Sequence, residues 1–227
     1  MIVMKIRCSQ INKIMTNPRT KGERLSQTAK SYLLELAIEE KYGIQKEFWS
    51  RYTDKGNQVE DEAIKLVGEV LDVGFIYKNE ENLTNEYVTG TPDINTDVLI
   101  DVKSSWDAFT FFDKVIEEEL NNKDYYYQLQ GYMWLTDKQE ALLCYCLIDT
   151  PVQIVEDEIR REHWKQNLIS ESDDLRAFVE AKHSYTHIDP LKRVKTHVIK
   201  RDKEVIEAIK TRIEECNEYY NQIIELI

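Results

Sequence analysis

The sequence predicts an α/β fold in which a central mixed β-sheet is flanked by helices. Two short apolar runs, 97–103 and 141–148, are rich in β-forming residues and bounded by polar ones, as buried strands are. Longer segments around them repeat apolar residues every three to four positions, which is the spacing of amphipathic helices. The 227 residues are 42% hydrophobic with 7 Gly and 4 Pro, a composition that indicates a globular chain.

Two helices are predicted before the first strand. Ser26 is a suitable N-cap and Gly43 a suitable C-terminal residue for the helix between them. A second helix is expected to begin near Asn57, after Gly56, and it places Glu60 beside its apolar stripe. A carboxylate in that position costs stability unless it is paired or binds a ligand, so Glu60 is a candidate metal ligand.

Three strands are predicted next, arranged as one meander, at 73–78, 86–89 and 97–103. This arrangement places Asp93 in the turn before the third strand. The strand at 141–148 is apolar on both faces and is expected to be central, whereas 193–200 alternates like an edge strand. The remaining helices are predicted at 108–120, 123–137, 155–183 and 203–226.

Acidic and basic side chains converge around the strand at 97–103. Side chains in a strand repeat every two residues, so Asp101 and Lys103 project from one face, and the turn can bring Asp93 to them. Two carboxylates and a lysine are suited to a hard metal ion such as Mg²⁺, with the lysine orienting a water. The alternative is a surface turn followed by an ordinary strand with an ion pair.

A second candidate cluster lies in the predicted helix at 123–137. Gln128 and Tyr132 are one turn apart and share a face. The alternative is a core-facing aromatic stripe that happens to include an amide.

Charge and composition restrict the classes of function. The net charge of −12 disfavours nucleic acid overall, but basic residues are concentrated in 1–25 and 191–203, where they could follow a phosphate backbone. The alternative is that both stretches are solvated faces. Four cysteines without a C-x-x-C pair favour core positions over a zinc site, an iron–sulfur cluster or disulfides. No apolar run approaches the ~20 residues that span a bilayer, so no membrane association and a cytoplasmic location are expected.

These motifs together resemble a known family. Gly56 and Glu60 in G-N-Q-V-E-D-E-A, then Pro92-Asp93, Asp101-x-Lys103 and Gln128-x-x-x-Tyr132 stand in the order of the PD-(D/E)xK nuclease motifs. The branch that contains phage lambda exonuclease is the most similar. The opening C-S-Q-I-N-K-I-M-T-N-P-R resembles that branch's serine-bearing entry segment, and T-H-V-I-K-R-D with the last helix resembles its closing strand and helix.

The resemblance implies a restriction-endonuclease-like core in a single nuclease domain, 1–227, with a helical insertion at about 152–190. It implies that one or two Mg²⁺ ions, or Mn²⁺ as a substitute, bind Glu60, Asp93, Asp101 and the Val102 carbonyl. Lys103 would position and activate the attacking water, and Gln128 would orient the site. The residues assigned to DNA contacts are Arg7, Ser9, Lys13, Arg19 and Tyr132, with Arg7 replacing an arginine that other members carry further upstream.

The function implied is that of a metal-dependent deoxyribonuclease, most plainly a 5′-to-3′ exonuclease on double-stranded DNA ends in phage or prophage recombination. A single-strand annealing protein as partner, a homotrimer, and the bacterial host cytoplasm as location are implied by the resemblance alone. Two alternatives within the superfamily are a structure-specific endonuclease and a RecB-like nuclease. A third alternative, from another class, is a non-catalytic DNA-end-binding module.

Overall fold

The computed structural model describes residues 4–47, 49–73, 76–167 and 172–227. It confirms a mixed α/β architecture with sheets flanked by helices. The strands are β1 (Ile6–Arg7), β2 (Leu83–Thr84), β3 (Val88–Gly90), β4 (Ile94–Asn95), β5 (Leu99–Ser104), β6 (Glu140–Cys146) and β7 (Val194–Lys200). The helices are α1 (Ile11–Ile14), α2 (Gln27–Tyr42), α3 (Arg51–Leu71), α4 (Ala108–Ile116), α5 (Lys123–Thr136), α6 (Val152–Lys165), α7 (Asp173–Ala181) and α8 (Lys203–Leu226), with short 3₁₀ helices at Cys8–Gln10 and Pro190–Lys192.

The larger sheet has the strand order β4-β5-β6-β7. Strands β5 and β6 run parallel, and β4 and β7 pair with them antiparallel, so the sheet is mixed as predicted. Strand β6 has a neighbour on both sides and β7 lies at an edge, which confirms both expectations.

The two faces of this sheet belong to different hydrophobic clusters because side chains alternate along each strand. Helix α3 packs on one face, where its apolar stripe meets Ile100, Val102 and Cys144. The opposite face, which includes Leu99 and Leu143, packs against α4 and α5 within the main cluster, to which α8 also contributes. The four cysteines are buried and unbridged, as expected.

A small second sheet of order β1-β3-β2 brings the N-terminal segment to the body of the protein. The 3₁₀ helix that follows β1 packs against α5 with little room between them. A Cβ added at Gly131 would lie 2.7 Å from Ile11 Cδ1 and 2.8 Å from Cys8 Sγ. Gly131 therefore stands inside a helix because the neighbouring segment approaches its backbone closely.

Several predicted boundaries are wrong. The three-strand meander does not form, because β3 belongs to the small sheet and β5 to the large one. Residues 76–78 are not in a strand; the rest of that predicted strand includes 74 and 75, outside the described residues. Helix α3 begins at Arg51 rather than near Asn57, since the Ser50 hydroxyl accepts a hydrogen bond from the Thr53 amide at 3.1 Å and caps it earlier. Helix α4 ends at Ile116, before the predicted end at 120.

The helix between Ser26 and Gly43 is confirmed with both of its caps. The Ser26 hydroxyl accepts from the Ala29 amide at 3.0 Å, and Gly43 takes φ 66 at the other end. Helix α8 packs along α2, and Ile223 near its end is buried whereas Leu226 is exposed.

The single helix predicted at 155–183 is wrong, because residues 166, 167 and 172 are not helical. Among its described residues, the segment at 152–190 is α-helical only at Val152–Lys165 and Asp173–Ala181. It forms α6 and α7, which pack on each other through Val155, Ile159, Leu175 and Val179. Its status as an insertion stays a prediction. In the described segments, no helix combines the length and apolarity that crossing a membrane requires.

Candidate active site

Strand β5 carries an acid and a lysine on one face. Asp101 is fully buried, and the Lys103 ammonium Nζ lies 2.6 Å from its Oδ2. The predicted juxtaposition of the two side chains at i and i+2 is therefore present. The Lys103 ammonium also lies 5.2 Å from the centre of the Tyr125 ring, which gives it a second, cation–π contact.

Asp93 is fastened to the backbone between those two residues. Its Oδ2 accepts a hydrogen bond from the Val102 amide at 2.7 Å. The turn that holds it is braced by Asn79, whose amide N donates to the Asp93 carbonyl at 2.8 Å and whose side chain donates to the Pro92 carbonyl at 3.0 Å. The turn thus brings a second carboxylate to the strand, as the sequence predicts.

The pKa values in this group are shifted because two carboxyl groups share one partly buried site. Burial, and then the negative charges of Asp101 and Glu60, raise the pKa of Asp93 to about 7 against the opposing influence of Lys103. Burial by itself would lower the pKa of Lys103, but the carboxylates of Asp101 and Asp93 outweigh it and the net shift is upward. Lys103 therefore stays cationic at neutral pH, while the charged form of Asp93 is disfavoured.

Glu60 faces the same cleft from helix α3. The cleft has a volume of about 490 Å³, and its walls include Glu60, Asp93, Lys103, Gln128 and Ser9. The Glu60 carboxylate is paired: Lys78 Nζ lies 3.1 Å from its Oε2 and 3.3 Å from Asp61 Oδ1.

Helix α5 supports Asp101 from below through a chain of hydrogen bonds. Gln128 Nε2 donates to Asp101 Oδ1 and to the Tyr132 hydroxyl, both at 3.0 Å. The Tyr132 hydroxyl in turn donates to the Thr91 carbonyl at 3.1 Å. This chain fixes the orientation of the Asp101 carboxylate and links it to the turn that carries Asp93.

Tyr132 is placed differently from the expectation that it contacts DNA. Its side chain is 4% exposed, and a Cβ added at Gly90 would lie 2.8 Å from its ring. Tyr132 therefore combines the two interpretations left open by the sequence: it is a core aromatic residue whose hydroxyl supports the site.

Of the other residues predicted to contact DNA, one lines the cleft and the others lie outside it. Ser9 lines it, but Arg7 forms an ion pair with Glu39 at 2.6 Å, and Lys13 lies over the Tyr32 ring at 5.0 Å. Arg19 lines a separate concavity of about 690 Å³ formed by residues 16–30.

Three contributors to the site were missed in the sequence. Lys78 lies in a stretch interpreted as a strand, and its pairing with Glu60 depends on tertiary contacts that the sequence does not encode locally. Tyr125 precedes Gln128 by three residues, so helical spacing was a signal for its presence on the same face. Tyr52, which also lines the cleft, lies in the first turn of α3, before the helix start near Asn57 that the sequence predicts.

The oxygen atoms of this site are suitable ligands for a hard cation, although each of its carboxyl groups already has a hydrogen bond or an ion pair. Throughout the described ranges, no three His, Cys, Asp or Glu side chains form a ready-made metal cluster. However, the buried Asp101 Oδ2 receives no well-directed hydrogen bond, despite the ammonium 2.6 Å away. This ion-paired carboxylate oxygen lies beside Asp93, whose charged form is disfavoured, and together the two carboxyl groups supply the oxygen ligands that a divalent ion prefers.

Comparison with solved structures finds related folds of similar length. A phage-related exonuclease from Haemophilus somnus 129PT is 34% identical over 99% of this chain and 96% of its own, with a TM-score of 0.75. An alkaline exonuclease, LHK-Exo, from Laribacter hongkongensis is 15% identical over 98% of this chain and 90% of its own, with a TM-score of 0.66. A second structure of LHK-Exo, in complex with dAMP, has a TM-score of 0.65 at 15% identity over the same shares.

No protein-family model matches the sequence, and no curated protein matches it either. At 15% identity the Laribacter structures support the fold alone. The Haemophilus protein, at 34% over nearly the whole of both chains, supports a common family.

Proposed function

The chain belongs to the lambda exonuclease-like family of PD-(D/E)xK nucleases, and from this premise we propose that it is a metal-dependent exonuclease acting on the ends of double-stranded DNA. The observation that carries the proposal is the Val102 amide holding Asp93 against Asp101 and Lys103, because it assembles two acids and a lysine at one point. The Haemophilus relative is itself a phage-related exonuclease.

Glu60, Asp93, Asp101 and the Val102 carbonyl would hold one or two Mg²⁺ ions, with Mn²⁺ as a substitute. When bound, such an ion lowers the pKa of water and neutralises charge on the phosphate. Lys78 and Lys103 now offset the charges of Glu60 and Asp101, so both ammonium groups would move or share their carboxylates on metal binding.

Lys103 is the residue proposed to orient the attacking water. Its ammonium remains protonated because two carboxylates stabilise the charge, so it acts through charge and hydrogen bonding to the water and to the phosphate oxygens. Gln128 would keep Asp101 in position from the opposite side, as its 3.0 Å hydrogen bond suggests.

The substrate side of the proposal rests on the cleft and on the basic stretch at the N-terminus. Ser9 at the cleft would donate to a phosphate, and Arg7, Lys13 and Arg19 would follow the backbone further out. A Laribacter exonuclease of the same fold is in complex with dAMP. For this chain we take the cleft of about 490 Å³ to accept one deoxynucleotide of the strand being degraded.

Family membership alone supports five further parts of the proposal. They are the 5′-to-3′ direction of digestion, a role in phage or prophage recombination, a single-strand annealing partner, a homotrimer, and a location in the host cytoplasm. Each is separable from the chemistry of the cleft.

A digestion assay tests the activity and its direction. Linear duplex labelled at either the 5′ or the 3′ end and nicked circular duplex are incubated with the protein, with Mg²⁺ or with EDTA. We expect Mg²⁺-dependent loss of linear DNA from the 5′ end. Cutting of the circle away from the nick would favour a structure-specific endonuclease, and binding without cutting would favour an end-binding module. Asp93→Asn should abolish cleavage, whereas Asp97→Asn, an exposed acid nearby, should not.

Lys103→Ala separates the lysine's role from that of the acids. Removing the ammonium leaves Asp101 without its counter-ion, so Mn²⁺ or Ca²⁺ should bind as tightly as to the unmodified chain or more tightly. Single-turnover cleavage should fall by about 10²-fold or more. Calorimetric titration beside cleavage rates measures both. Loss of metal affinity in Lys103→Ala, or near-normal cleavage, would contradict the assignment of this residue to the water.

A further inference from the structure

An exposed tyrosine lies on the same helix face as Glu60. Tyr52, Gly56 and Glu60 follow one another at intervals of four along α3, and all three line the catalytic cleft. A Cβ added at Gly56 would meet no atom within 4 Å, so the space between the ring and the carboxylate is open. Tyr52 and Glu60 are eight positions apart, which corresponds to about 12 Å along the helix axis. The helix thus presents an aromatic ring, a gap and a carboxylate in a row.

The Tyr52 ring is held in a fixed position. The Trp106 ring meets it edge to face, with centroids 5.1 Å apart and planes at 76°. The Arg51 guanidinium lies 5.0 Å from the centre of the Tyr52 ring and 4.8 Å from that of Trp106. Arg51 Nη2 also donates to the Tyr52 hydroxyl at 3.1 Å. These contacts reduce the ring's freedom before any ligand arrives.

Helix α6 fixes the arginine in turn. Arg51 Nη1 lies 3.2 Å from Glu158 Oε2, and the same oxygen accepts from Arg161 at 2.8 Å. The segment at 152–190 therefore contacts the catalytic cleft indirectly, through an ion pair that holds the guanidinium over the two rings.

Tyr52 nevertheless remains 55% exposed, inside a cleft that is also lined by Tyr125, Val102 and polar side chains. We propose that Tyr52 stacks on a nucleobase of the DNA strand in the cleft, and that Arg51 and Glu158 hold the ring for this contact. The inference rests on the proposed nuclease function and adds a nucleotide-binding contact to the same site. Every base has an aromatic face, so this contact is independent of sequence.

If Tyr52 stacks on a base, its removal should weaken DNA binding without changing metal affinity. Tyr52→Ala should weaken binding of linear DNA by about 10-fold or more, which is the usual effect of removing one base–aromatic stack. Tyr52→Phe keeps the ring and should retain most of the affinity. Neither substitution should alter Mn²⁺ affinity, because Tyr52 touches no acid of the cleft. Tyr42→Ala is the matched control: Tyr42 is 53% exposed and lies outside the cleft.

Glu158→Gln tests the support from helix α6. It should cause a smaller loss of DNA affinity, and no further loss when Tyr52 is already alanine, because both changes act on one contact. Additive losses would show that Glu158 acts elsewhere and would overturn its positioning role.

A fluorescence experiment locates the base. 2-Aminopurine, whose emission falls on stacking, is placed at each of the first four positions of either strand of a linear duplex. The complex is formed with Ca²⁺ in place of Mg²⁺, and a second set carries an abasic site at the quenched position. We expect quenching at one position in the unmodified chain and in Tyr52→Phe, its loss in Tyr52→Ala, and equal affinities of the unmodified chain and Tyr52→Ala for the abasic duplex.

Failure of the stacking contact can be distinguished from failure of the proposed nuclease function. Equal quenching by the unmodified chain and Tyr52→Ala, in protein that digests linear DNA, overturns the stacking contact and leaves the nuclease function intact. An unmodified chain that neither binds nor digests DNA overturns the proposed function and this contact with it.

Discussion

Replacement of Lys55 by methionine should change the stability of the protein in a pH-dependent way. Lys55 stands inside α3 and is 1% exposed. Its ammonium donates to the Trp106 carbonyl at 2.8 Å and lies 5.6 Å from the centre of the Tyr185 ring. Burial lowers the pKa of this lysine from 10.5 to about 8, against the opposing charges of Asp107 and Asp149. At neutral pH the protein therefore carries a buried charge.

The expected magnitude follows from the difference between the folded and unfolded pKa values. Below pH 8 the lysine is charged in both states, and burying that charge costs the folded state about 3 kcal/mol at 1.36 kcal/mol per pKa unit. Between pH 8 and 10.5 the unfolded chain binds more protons than the folded one, so the cost falls as pH rises. Above 10.5 it is gone. Methionine does not titrate, so its contribution to the unfolding free energy does not depend on pH.

Denaturant unfolding of the unmodified chain and Lys55→Met from pH 7 to 10.5 measures this. The difference in unfolding free energy should move by about 3 kcal/mol in favour of the unmodified chain across that range. Other titrating groups cancel in the difference. Lys65→Met, at an exposed lysine of the same helix, should give a difference that is nearly flat with pH. A flat difference for Lys55→Met would show that the lysine is not desolvated in the folded protein.

Three further predictions concern DNA binding, packing and assembly. Changing three basic residues of the N-terminal stretch to alanine should lower the slope of log affinity against log salt by roughly one for each phosphate that the protein no longer binds, and an unchanged slope would remove that stretch from the interface. The three are Arg7, Lys13 and Arg19. Gly131→Ala should lower the unfolding free energy by about 1–3 kcal/mol because its Cβ would overlap Ile11, whereas Gly56→Ala, with open space around it, should not destabilise the helix; equal denaturation midpoints would contradict this. Light scattering should give the mass of a trimer, and a monomer at working concentration would exclude a ring.

Local rules predicted the centre of the site well. The two-residue repeat of a strand is sufficient to put Asp101 and Lys103 on one face. The turn after Pro92 predicts only the approximate place of Asp93, which hydrogen bonds from Val102 and Asn79 fix in the folded protein. The start of α3 was misplaced because Gly56 was interpreted as a boundary, although Ser50 offers a cap and a helix tolerates an interior glycine.

The remaining errors are tertiary in origin. The pairing of Lys78 with Glu60, and the burial of Tyr132 against Gly90, depend on segments that meet only in the folded protein. The same is true of the small sheet, whose outer strands are two residues long and carry no periodicity to detect. A sequence pattern shows the residue spacing within one helix or strand. It does not show these contacts, because they form between different elements.

The ion pair between Lys103 and Asp101 has a consequence for the folding of the protein in the absence of metal. A site made of acids alone would repel itself during folding and would depend on a cation for closure, as small zinc domains do. Here the chain supplies an internal counter-ion, so the acids can assemble without an external one. Binding of the proposed metal ion would then exchange one cation for another, and a chelator should stop the proposed cleavage without unfolding the protein.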